Sequence, residues 1–300
     1  MNNISMWISS MRLRTLPLSV SGIILASFLA QHKGFFNWGI FILAMLTTLS
    51  LQILSNLAND YGDGIKGTDN LDRIGPQRAI QSGKISPESM RKAIKINIVV
   101  AIGLSFGLIF YAFGTDYIIL TSVFLALGIL SVVASIQYTV GSRAYGYRGL
   151  GDIFVFVFFG LVSVAGCYVL YAKKIDFIVV IPGCIIGLLS TAVLNLNNMR
   201  DRISDKKSNK ITLAVKLGEQ NVKIYHFILV VFALILSFLF GVVYYTSPFN
   251  LMFMVTYVPL FFHLKKVYNN HNPKSLDPEL KKLALTTFFL AILMGIGQLF

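Results

Sequence analysis

Charged residues are scarce in this sequence of 300 residues. Only 13% of them are Asp, Glu, Lys or Arg, whereas 55% are hydrophobic, and the mean hydropathy is +0.71. Folded water-soluble domains carry about 25% charged residues. The shortage argues against a water-soluble domain. Long apolar runs separated by short polar segments indicate a protein of the lipid bilayer instead.

Cysteine is nearly absent, and basic residues outnumber acidic ones. Cys167 and Cys184 both lie in apolar stretches, so we interpret them as buried core residues. Two such cysteines exclude a disulfide framework and a cysteine-type metal cluster. The net charge of +13 would suggest nucleic-acid binding in a soluble protein. No basic stripe alternates with aromatic residues, so we expect no nucleic-acid partner and assign the positive charge to loops that face anionic lipid.

The apolar runs predict an all-α membrane bundle of about nine transmembrane helices, which forms one domain over 1–300. A spanning helix needs about 20 apolar residues, and the first and eighth runs are the shortest by that measure. The predicted spans are 16–31, 37–58, 94–113, 117–140, 150–171, 177–197, 224–245, 249–264 and 283–300.

The positions of the basic residues predict the orientation of this bundle. If the N-terminus lies in the cytoplasm, the inner segments carry 23 of the 26 Lys and Arg residues, and the outer segments carry three. Cytoplasmic loops of membrane proteins carry an excess of Lys and Arg. The asymmetry therefore predicts a cytoplasmic N-terminus and an odd number of spans in a multi-pass protein.

Two clusters of carboxylates follow the predicted second and sixth spans, at ends that face the cytoplasm in this topology. Asp60 and Asp63 are three residues apart, and Asp201 and Asp205 are four apart. If the helices continue this far, each pair lies on one helix face. Carboxylates at membrane depth are rare and usually functional. Because Mg²⁺ prefers oxygen ligands and often binds a substrate phosphate as well, the four carboxylates predict a magnesium site.

Amides and basic residues accompany both clusters, and Asp69 and Asp72 extend the first. Buried amides are unfavourable unless they have partners. A metal-bound diphosphate requires cationic groups and hydrogen-bond donors. The substrate-binding residues predicted in these segments are Asn56, Asn59, Lys66, Asp69, Arg78, Asn197, Asn198, Arg200 and Lys210.

Tyrosines and a carboxylate lie near the start of the predicted fifth span. The ring faces of Tyr138, Tyr145 and Tyr147 suit either an aromatic acceptor or the shielding of a cation. An aromatic belt at the membrane interface explains the tyrosines equally well. Asp152 is more consistent with a functional role, because a carboxylate this close to a span is unfavourable without one. Tyr138, Tyr147 and Asp152 therefore complete the predicted substrate site.

Both acidic segments resemble the aspartate-rich motifs of the UbiA-type intramembrane prenyltransferases. The first motif is NLANDYGDGIKGTD at 56–69, and the second is NMRDRISD at 198–205, followed by KITLAVKLG at 210–218. The segments 12–17, 72–78 and 145–160 resemble the members that act on 1,4-dihydroxy-2-naphthoate in menaquinone synthesis. Asn209 departs from the Gly usual in the family, and Ala144 replaces a frequent Pro.

The resemblance implies a helical bundle around a central cavity and a transferase that uses Mg²⁺ as its cofactor. Asp60, Asp63, Asp201 and Asp205 would bind the metal and an allylic diphosphate. A polyprenyl group would pass from polyprenyl diphosphate to 1,4-dihydroxy-2-naphthoate with loss of CO₂ and diphosphate, giving demethylmenaquinol. Such an enzyme would lie in the cytoplasmic (inner) membrane of a bacterium.

Other functions remain open at this point. Another acceptor, such as 4-hydroxybenzoate or a haem vinyl group, would be compatible with the same enzyme class. CDP-alcohol phosphotransferases also hold acids on membrane helices, but in one compact run, whereas this sequence has two distant clusters. A transporter would place its acids near the membrane midplane, not at the inner ends of helices.

Overall fold

A computed structural model describes residues 3–70 and 73–300, so Asp72, which extends the first acidic cluster, lies outside the described residues. The described residues form helices and no strand, as the all-α prediction requires. The helices are α1 (Asn3–Ser10), α2 (Leu16–His32), α3 (Trp38–Ile65), α4 (Pro87–Phe113), α5 (Ile118–Gln137), α6 (Gly151–Val155), α7 (Cys167–Ala172), α8 (Val180–Lys207), α9 (Leu213–Val243), α10 (Tyr257–Tyr268) and α11 (Asp277–Gly297).

Seven helical segments in the described part of the chain are long and apolar enough to cross a bilayer. They are Trp38–Ile65, Pro87–Phe113, Ile118–Gln137, Gly151–Ala172, Phe177–Lys207, Leu213–Val243 and Pro273–Gly297. The all-α membrane bundle is therefore confirmed.

The first and eighth predicted spans are shorter than the other seven. The first corresponds to α2, which has 17 residues. The eighth is divided between a 3-10 helix at Pro248–Thr256 and α10, which has 12 residues. Asn250 holds the entry to this 3-10 helix by accepting from the backbone N–H groups of Thr246 and Ser247, both at 2.7 Å. Nine complete spans and a cytoplasmic N-terminus stay predictions.

The two helices that carry the acidic clusters extend beyond the predicted spans. Helix α3 continues past residue 58 to Ile65, and α8 continues past residue 197 to Lys207. All four aspartates of the two pairs therefore lie on helices, and all four are buried. The expectation that each pair shares one helix face is confirmed, because both pairs face the interior of the bundle.

The fifth span changes its helix type at the centre, where a π-helix at Phe156–Gly166 joins α6 to α7. Gly160 of this π-helix packs against the backbone of α8. A Cβ atom at Gly160 would lie 2.5 Å from the carbonyl oxygen of Gly183 and 2.6 Å from Cα of Gly187. Small residues four positions apart allow such close approach between membrane helices. Because π-helical turns occur frequently at functional sites, this contact is relevant to the cavity described below.

The substitution Gly160→Ala is expected to lower the thermal midpoint of unfolding, because the new methyl group has only backbone to displace. Overpacking of this kind typically destabilises by about 1–3 kcal/mol. Gly103→Ala is the matched control, since a Cβ atom there meets no other atom within 4 Å. Thermal unfolding in one detergent measures both variants. Equal midpoints for the two variants would contradict the close packing of the π-helix on α8.

A buried polar cluster joins α9, α10 and the start of α11. The Nε2 atoms of His226 and His263 are 2.9 Å apart, and His263 Nδ1 lies 2.8 Å from Glu279 Oε2. The other carboxylate oxygen of Glu279 pairs with Lys266 at 3.0 Å and with Lys282 at 2.9 Å. The carboxylate of Glu279 is almost fully buried, and each oxygen has a partner. This cluster therefore fixes the first turn of α11 relative to the two preceding helices.

Candidate active site

A cavity of about 410 Å³ lies among the helices. Its polar lining includes Arg12, Asn56, Asn59, Asp63, Asp69, Arg73, Arg78, Tyr138, Asn197, Asp201, Asp205, Lys210 and Asp277. Its apolar lining includes Ile23, Leu108, Phe124, Leu127, Phe158, Val162, Cys167 and Leu170. The arrangement suits a ligand with an anionic head and an apolar tail.

The cavity follows most of the depth of the membrane. Ala44 and Asp63 both line it and both belong to α3. At a rise of about 1.5 Å per residue, these two positions are about 28 Å apart along the helix axis. The hydrocarbon core of a bilayer is about 30 Å thick. A ligand with its head beside Asp63 can therefore extend its tail far towards the opposite face.

Lys210 connects the two acidic clusters. Its Nζ atom lies 3.1 Å from Asp63 Oδ2 and 3.9 Å from Asp205 Oδ1. Burial alone would lower the pKa of Lys210, but the charges of Asp63 and Asp205 outweigh it, and the pKa is raised. Tyr147 donates its hydroxyl hydrogen to Asp63 Oδ1 at 2.7 Å. The two motifs, distant in sequence, thus meet at one charged centre, as predicted.

Arg200 is buried beside the second cluster and uses all of its nitrogens. Its Nε and Nη2 atoms donate to the two carboxylate oxygens of Asp201, at 3.0 and 2.7 Å. Nη2 also donates to Asn197 at 2.9 Å, and Nη1 donates to Asp277 at 2.5 Å. Arg73 approaches the same carboxylate, with Nη2 at 3.8 Å from Asp201 Oδ2. The orientation of Asp201 is therefore set by two guanidinium groups.

Among the residues that the structure describes, two buried carboxylate oxygens of the first cluster have no hydrogen-bond partner. They are Oδ1 of Asp60 and Oδ2 of Asp69. Arg78 Nε lies 3.7 Å and 4.0 Å from these atoms, beyond hydrogen-bonding distance. Burial raises the pKa of Asp69. Because an unsatisfied buried acceptor is destabilising, these oxygens suit a bound cation or a donor on a ligand.

The chemistry of this donor set fits a magnesium ion bound together with a diphosphate. In the part of the chain that the structure describes, no three carboxylate, imidazole or thiol groups converge on one point. Mg²⁺ commonly binds through one or two carboxylates, substrate phosphates and water. Diphosphate oxygens would therefore have to complete its coordination shell. The neighbouring Arg and Lys side chains supply donors for the remaining phosphate oxygens.

Ten of the predicted site residues line the cavity, and six do not. Those outside its lining are Asp60, Lys66, Tyr147, Asp152, Asn198 and Arg200. Among them, Tyr147 and Arg200 contact lining carboxylates, as described above. Direct contact with substrate or metal stays a prediction for all sixteen residues.

Lys66 and Asp152 are held by partners on neighbouring segments. Lys66 Nζ donates to the carbonyl oxygens of Thr139 and Gly141, at 2.7 and 2.9 Å, and lies 4.1 Å from the ring centroid of Tyr147. Asp152 is buried and accepts a hydrogen bond from the hydroxyl of Tyr225 at 3.2 Å. Both side chains thus have partners that support the site from outside the cavity.

Arg12, Arg73 and Asp277 line the cavity, although they are not among the predicted site residues. Arg12 and Arg73 lie in the segments 12–17 and 72–78, which carry part of the family resemblance, so that resemblance is the signal that could have found them. Asp277 carries no such signal, since it belongs to neither motif. Its proximity to Arg200 depends on how α11 packs against α8, which a local sequence pattern does not reveal.

A row of aromatic rings lines the cavity near the acidic clusters. The rings of Tyr145 and Phe154 stack with centroids 3.9 Å apart. Tyr138 meets Tyr145 edge to face at 5.3 Å, and Phe158 stacks beside Phe154 at 6.2 Å. Phe158 belongs to the π-helix, which therefore supplies part of this row. Ring faces in this position suit an apolar chain or a carbocation.

Residues 20–293 match the model of the UbiA prenyltransferase family. This chain belongs to that family. The match covers both aspartate motifs, most of the residues that line the cavity, and the seven long helices except the last four residues of Pro273–Gly297.

Curated members of the UbiA family are similar to this chain over most of its length. A 1,4-dihydroxy-2-naphthoate octaprenyltransferase of Escherichia coli (strain K12) is 41% identical over 97% of this chain and 94% of its own length. The protein of the same name from Haemophilus influenzae is also 41% identical, over 99% and 96%. That of Mycobacterium tuberculosis is 35% identical over 79% and 78%.

Two solved structures share the fold of this UbiA-family chain. One is described as a UbiA homologue from Archaeoglobus fulgidus bound to DMAPP and Mg²⁺, with a TM-score of 0.61 and 12% identity. It covers 95% of this chain and 99% of that chain. The other comes from work on digeranylgeranylglyceryl phosphate synthase, with a TM-score of 0.62, 18% identity and 99% of both chains covered.

Proposed function

We propose that this UbiA-family protein transfers a polyprenyl group from polyprenyl diphosphate to 1,4-dihydroxy-2-naphthoate. Diphosphate and CO₂ leave, and demethylmenaquinol forms. The observation that carries the proposal is the cavity, which joins a charged end to a long apolar interior. The names of the relatives that are 41% identical over nearly the full chain support the naphthoate as acceptor. The bilayer of a bacterial cytoplasmic membrane would supply the lipid-soluble substrate.

The charged end would bind the diphosphate of the prenyl donor. Arg78 and Lys210 line the cavity and present cationic donors. Asp60, Asp63, Asp201 and Asp205 would hold Mg²⁺ together with oxygens of the diphosphate. Bound Mg²⁺ neutralises negative charge on the departing diphosphate. Lys210 keeps Asp63 and Asp205 together through its two contacts, so the substrate meets an assembled site.

The reaction breaks the allylic C–O bond, and its electron pair leaves with the diphosphate. The resulting allylic carbon is attacked by the ring carbon that carries the carboxylate. Loss of that carboxylate as CO₂ returns its electron pair to the ring and restores aromaticity. Water would intercept the allylic carbon, so the apolar walls must exclude it. Tyr145, Phe154 and Phe158 line the cavity and present ring faces that stabilise a cation in such a site.

The proposal is tested with purified protein in nanodiscs, supplied with 1,4-dihydroxy-2-naphthoate, an allylic polyprenyl diphosphate and Mg²⁺. The expected product has the mass of demethylmenaquinol or its quinone and appears with an equal amount of CO₂. A parallel reaction with 4-hydroxybenzoate is expected to give little product. Prenylation of 4-hydroxybenzoate alone would assign a different acceptor. Absence of any prenylated product would contradict the transferase assignment.

A further inference from the structure

Asp277 occupies a position in the site that neither aspartate motif accounts for. It lies in the first turn of α11, lines the cavity and accepts from Arg200 Nη1 at 2.5 Å. Its side chain is 37% exposed, whereas that of Arg200 is 1% exposed. Arg200 therefore lies between a carboxylate at the cavity rim and a carboxylate of the second motif.

The guanidinium of Arg200 forms hydrogen bonds with the carboxylates of Asp201 and Asp277 at the same time. One edge of it binds Asp201 through two parallel hydrogen bonds, and its other terminal nitrogen binds Asp277. Such fork-shaped pairs fix the plane of the carboxylate as well as its position. Asp277 thus holds Nη1 of Arg200, while Nε and Nη2 of the same guanidinium orient Asp201.

The surroundings leave Arg200 little room to adopt another position. A Cβ atom at Gly75 would lie 2.7 Å from Arg200 Nη2 and 2.8 Å from Arg73 Nη2. The first turn of α11 is itself held by the buried cluster around Glu279, two residues from Asp277. Asp277 is therefore a fixed anchor for Arg200.

The charges of this group explain why a second carboxylate is needed. Arg200 and Arg73 both approach Asp201, so these three groups alone carry one net positive charge, which would repel a cation. Asp277 cancels this excess positive charge and leaves the charge of Asp205 available to a cation. Each oxygen of Asp201 accepts one hydrogen bond from Arg200 and keeps a further lone pair for a metal.

We propose that Asp277 is a positioning residue that holds Arg200 against Asp201 and keeps the second acidic cluster negatively charged for a magnesium-bound diphosphate. This inference rests on the proposed function. Asp277 acts through Arg200 and need not contact the metal or the reacting carbon. It extends the site to α11, so the last long helix contributes to substrate binding as well as to the bundle.

The test compares Asp277→Asn with Glu219→Gln. Glu219 forms an ion pair with Arg202 at 2.9 Å, and Arg202 directly follows Asp201 in the sequence. Neither Glu219 nor Arg202 lines the cavity. Both substitutions remove one carboxylate charge from one ion pair. The protein is titrated with Mg²⁺ in the presence of an unreactive allylic thiolodiphosphate, and the rise in thermal midpoint is measured. Mn²⁺ binding, followed by electron paramagnetic resonance, gives a second readout that does not depend on turnover.

For Asp277→Asn, the Mg²⁺ concentration that gives half of the rise in the thermal midpoint of unfolding is expected to increase about tenfold. The reason is that one nearby negative charge is lost at a partly exposed position. Asp277→Glu is expected to restore part of the loss, and Glu219→Gln is expected to match the unmodified protein. The midpoint without metal shows that each variant is folded.

The outcomes separate this inference from the proposed function. If Asp201→Asn loses metal binding but Asp277→Asn does not, the role of Asp277 is wrong and the magnesium site stands. If Asp277→Asn and Glu219→Gln raise the half-saturating Mg²⁺ concentration by the same amount, the cause is the overall charge of the protein. The positioning role is then also wrong. If Asp201→Asn binds Mn²⁺ as tightly as the unmodified protein, the proposed magnesium site itself is wrong.

Discussion

Replacing Asp63 or Asp201 by Asn should lower turnover by at least about a hundredfold, the effect typical of losing a group that stabilises developing charge. Asn has nearly the same size as Asp, so the change removes a charge and not a packing contact. Asp63 would lose its attraction for Lys210, and Asp201 would lose its paired guanidinium. Turnover is measured as prenylated product formed by purified protein, and a size-exclusion profile establishes that each variant is folded.

Asp116→Asn is a suitable control for these variants. Asp116 lies exposed between α4 and α5, at the opposite ends of these helices from the acidic clusters. We expect near-normal turnover from this variant. Asp60→Ala, Asp63→Ala, Asp201→Ala and Asp205→Ala should all remain in the membrane fraction and be inactive. Near-normal activity in any two of these four alanine variants would be incompatible with a site shared by both motifs.

Removing divalent metal is the second change for which we expect a large effect. An excess of EDTA should reduce product formation to background, and added Mg²⁺ should restore it, because the protein's own cations do not replace the metal on the leaving diphosphate. Lys210, Arg73 and Arg78 still offer hydrogen-bond donors to the diphosphate when the metal is removed, so diphosphate binding should weaken less than turnover. The two quantities are measured separately, by a binding assay with an unreactive donor and by product mass.

A chelator that is already loaded with metal serves as the control for the metal test. Zn²⁺-loaded EDTA, which releases no free chelating groups for Mg²⁺, should leave turnover unchanged and so exclude an effect of the chelator itself. Sustained product formation in an excess of free chelator would rule out metal-assisted departure of the diphosphate.

Much of the site could be predicted from spacing and topology. Asp60 and Asp63, like Asp201 and Asp205, have helical spacing and lie at the ends of apolar runs that return to the same membrane face. That reasoning correctly brings the two motifs together. It underestimated the length of α8, since the polar residues after position 197 resemble a loop by hydropathy. They remain helical because their side chains pair inside the protein, as Arg200 does with Asp201.

Two kinds of feature could not be predicted from the sequence: contacts between distant segments, and the change from α-helical to π-helical hydrogen bonding. Asp277 lies 77 residues after Arg200, and only the packing of α11 on α8 brings them together. The π-helix at Phe156–Gly166 is similarly hidden, because a run of Phe, Val and Gly suits an α-helix equally well. Long-range partners and helix register depend on the whole bundle, whereas motif spacing is a local property.

The depth of the cavity bears on how much of a long donor the protein can contact. Between Asp63 and Ala44 the lining extends about 28 Å along α3. Isoprene units of a donor that lie farther than this from the diphosphate would contact lipid acyl chains and not the protein. For donors longer than the cavity, the enzyme would not distinguish one tail length from another, and the length of the quinone tail would be decided by the reaction that makes the polyprenyl diphosphate.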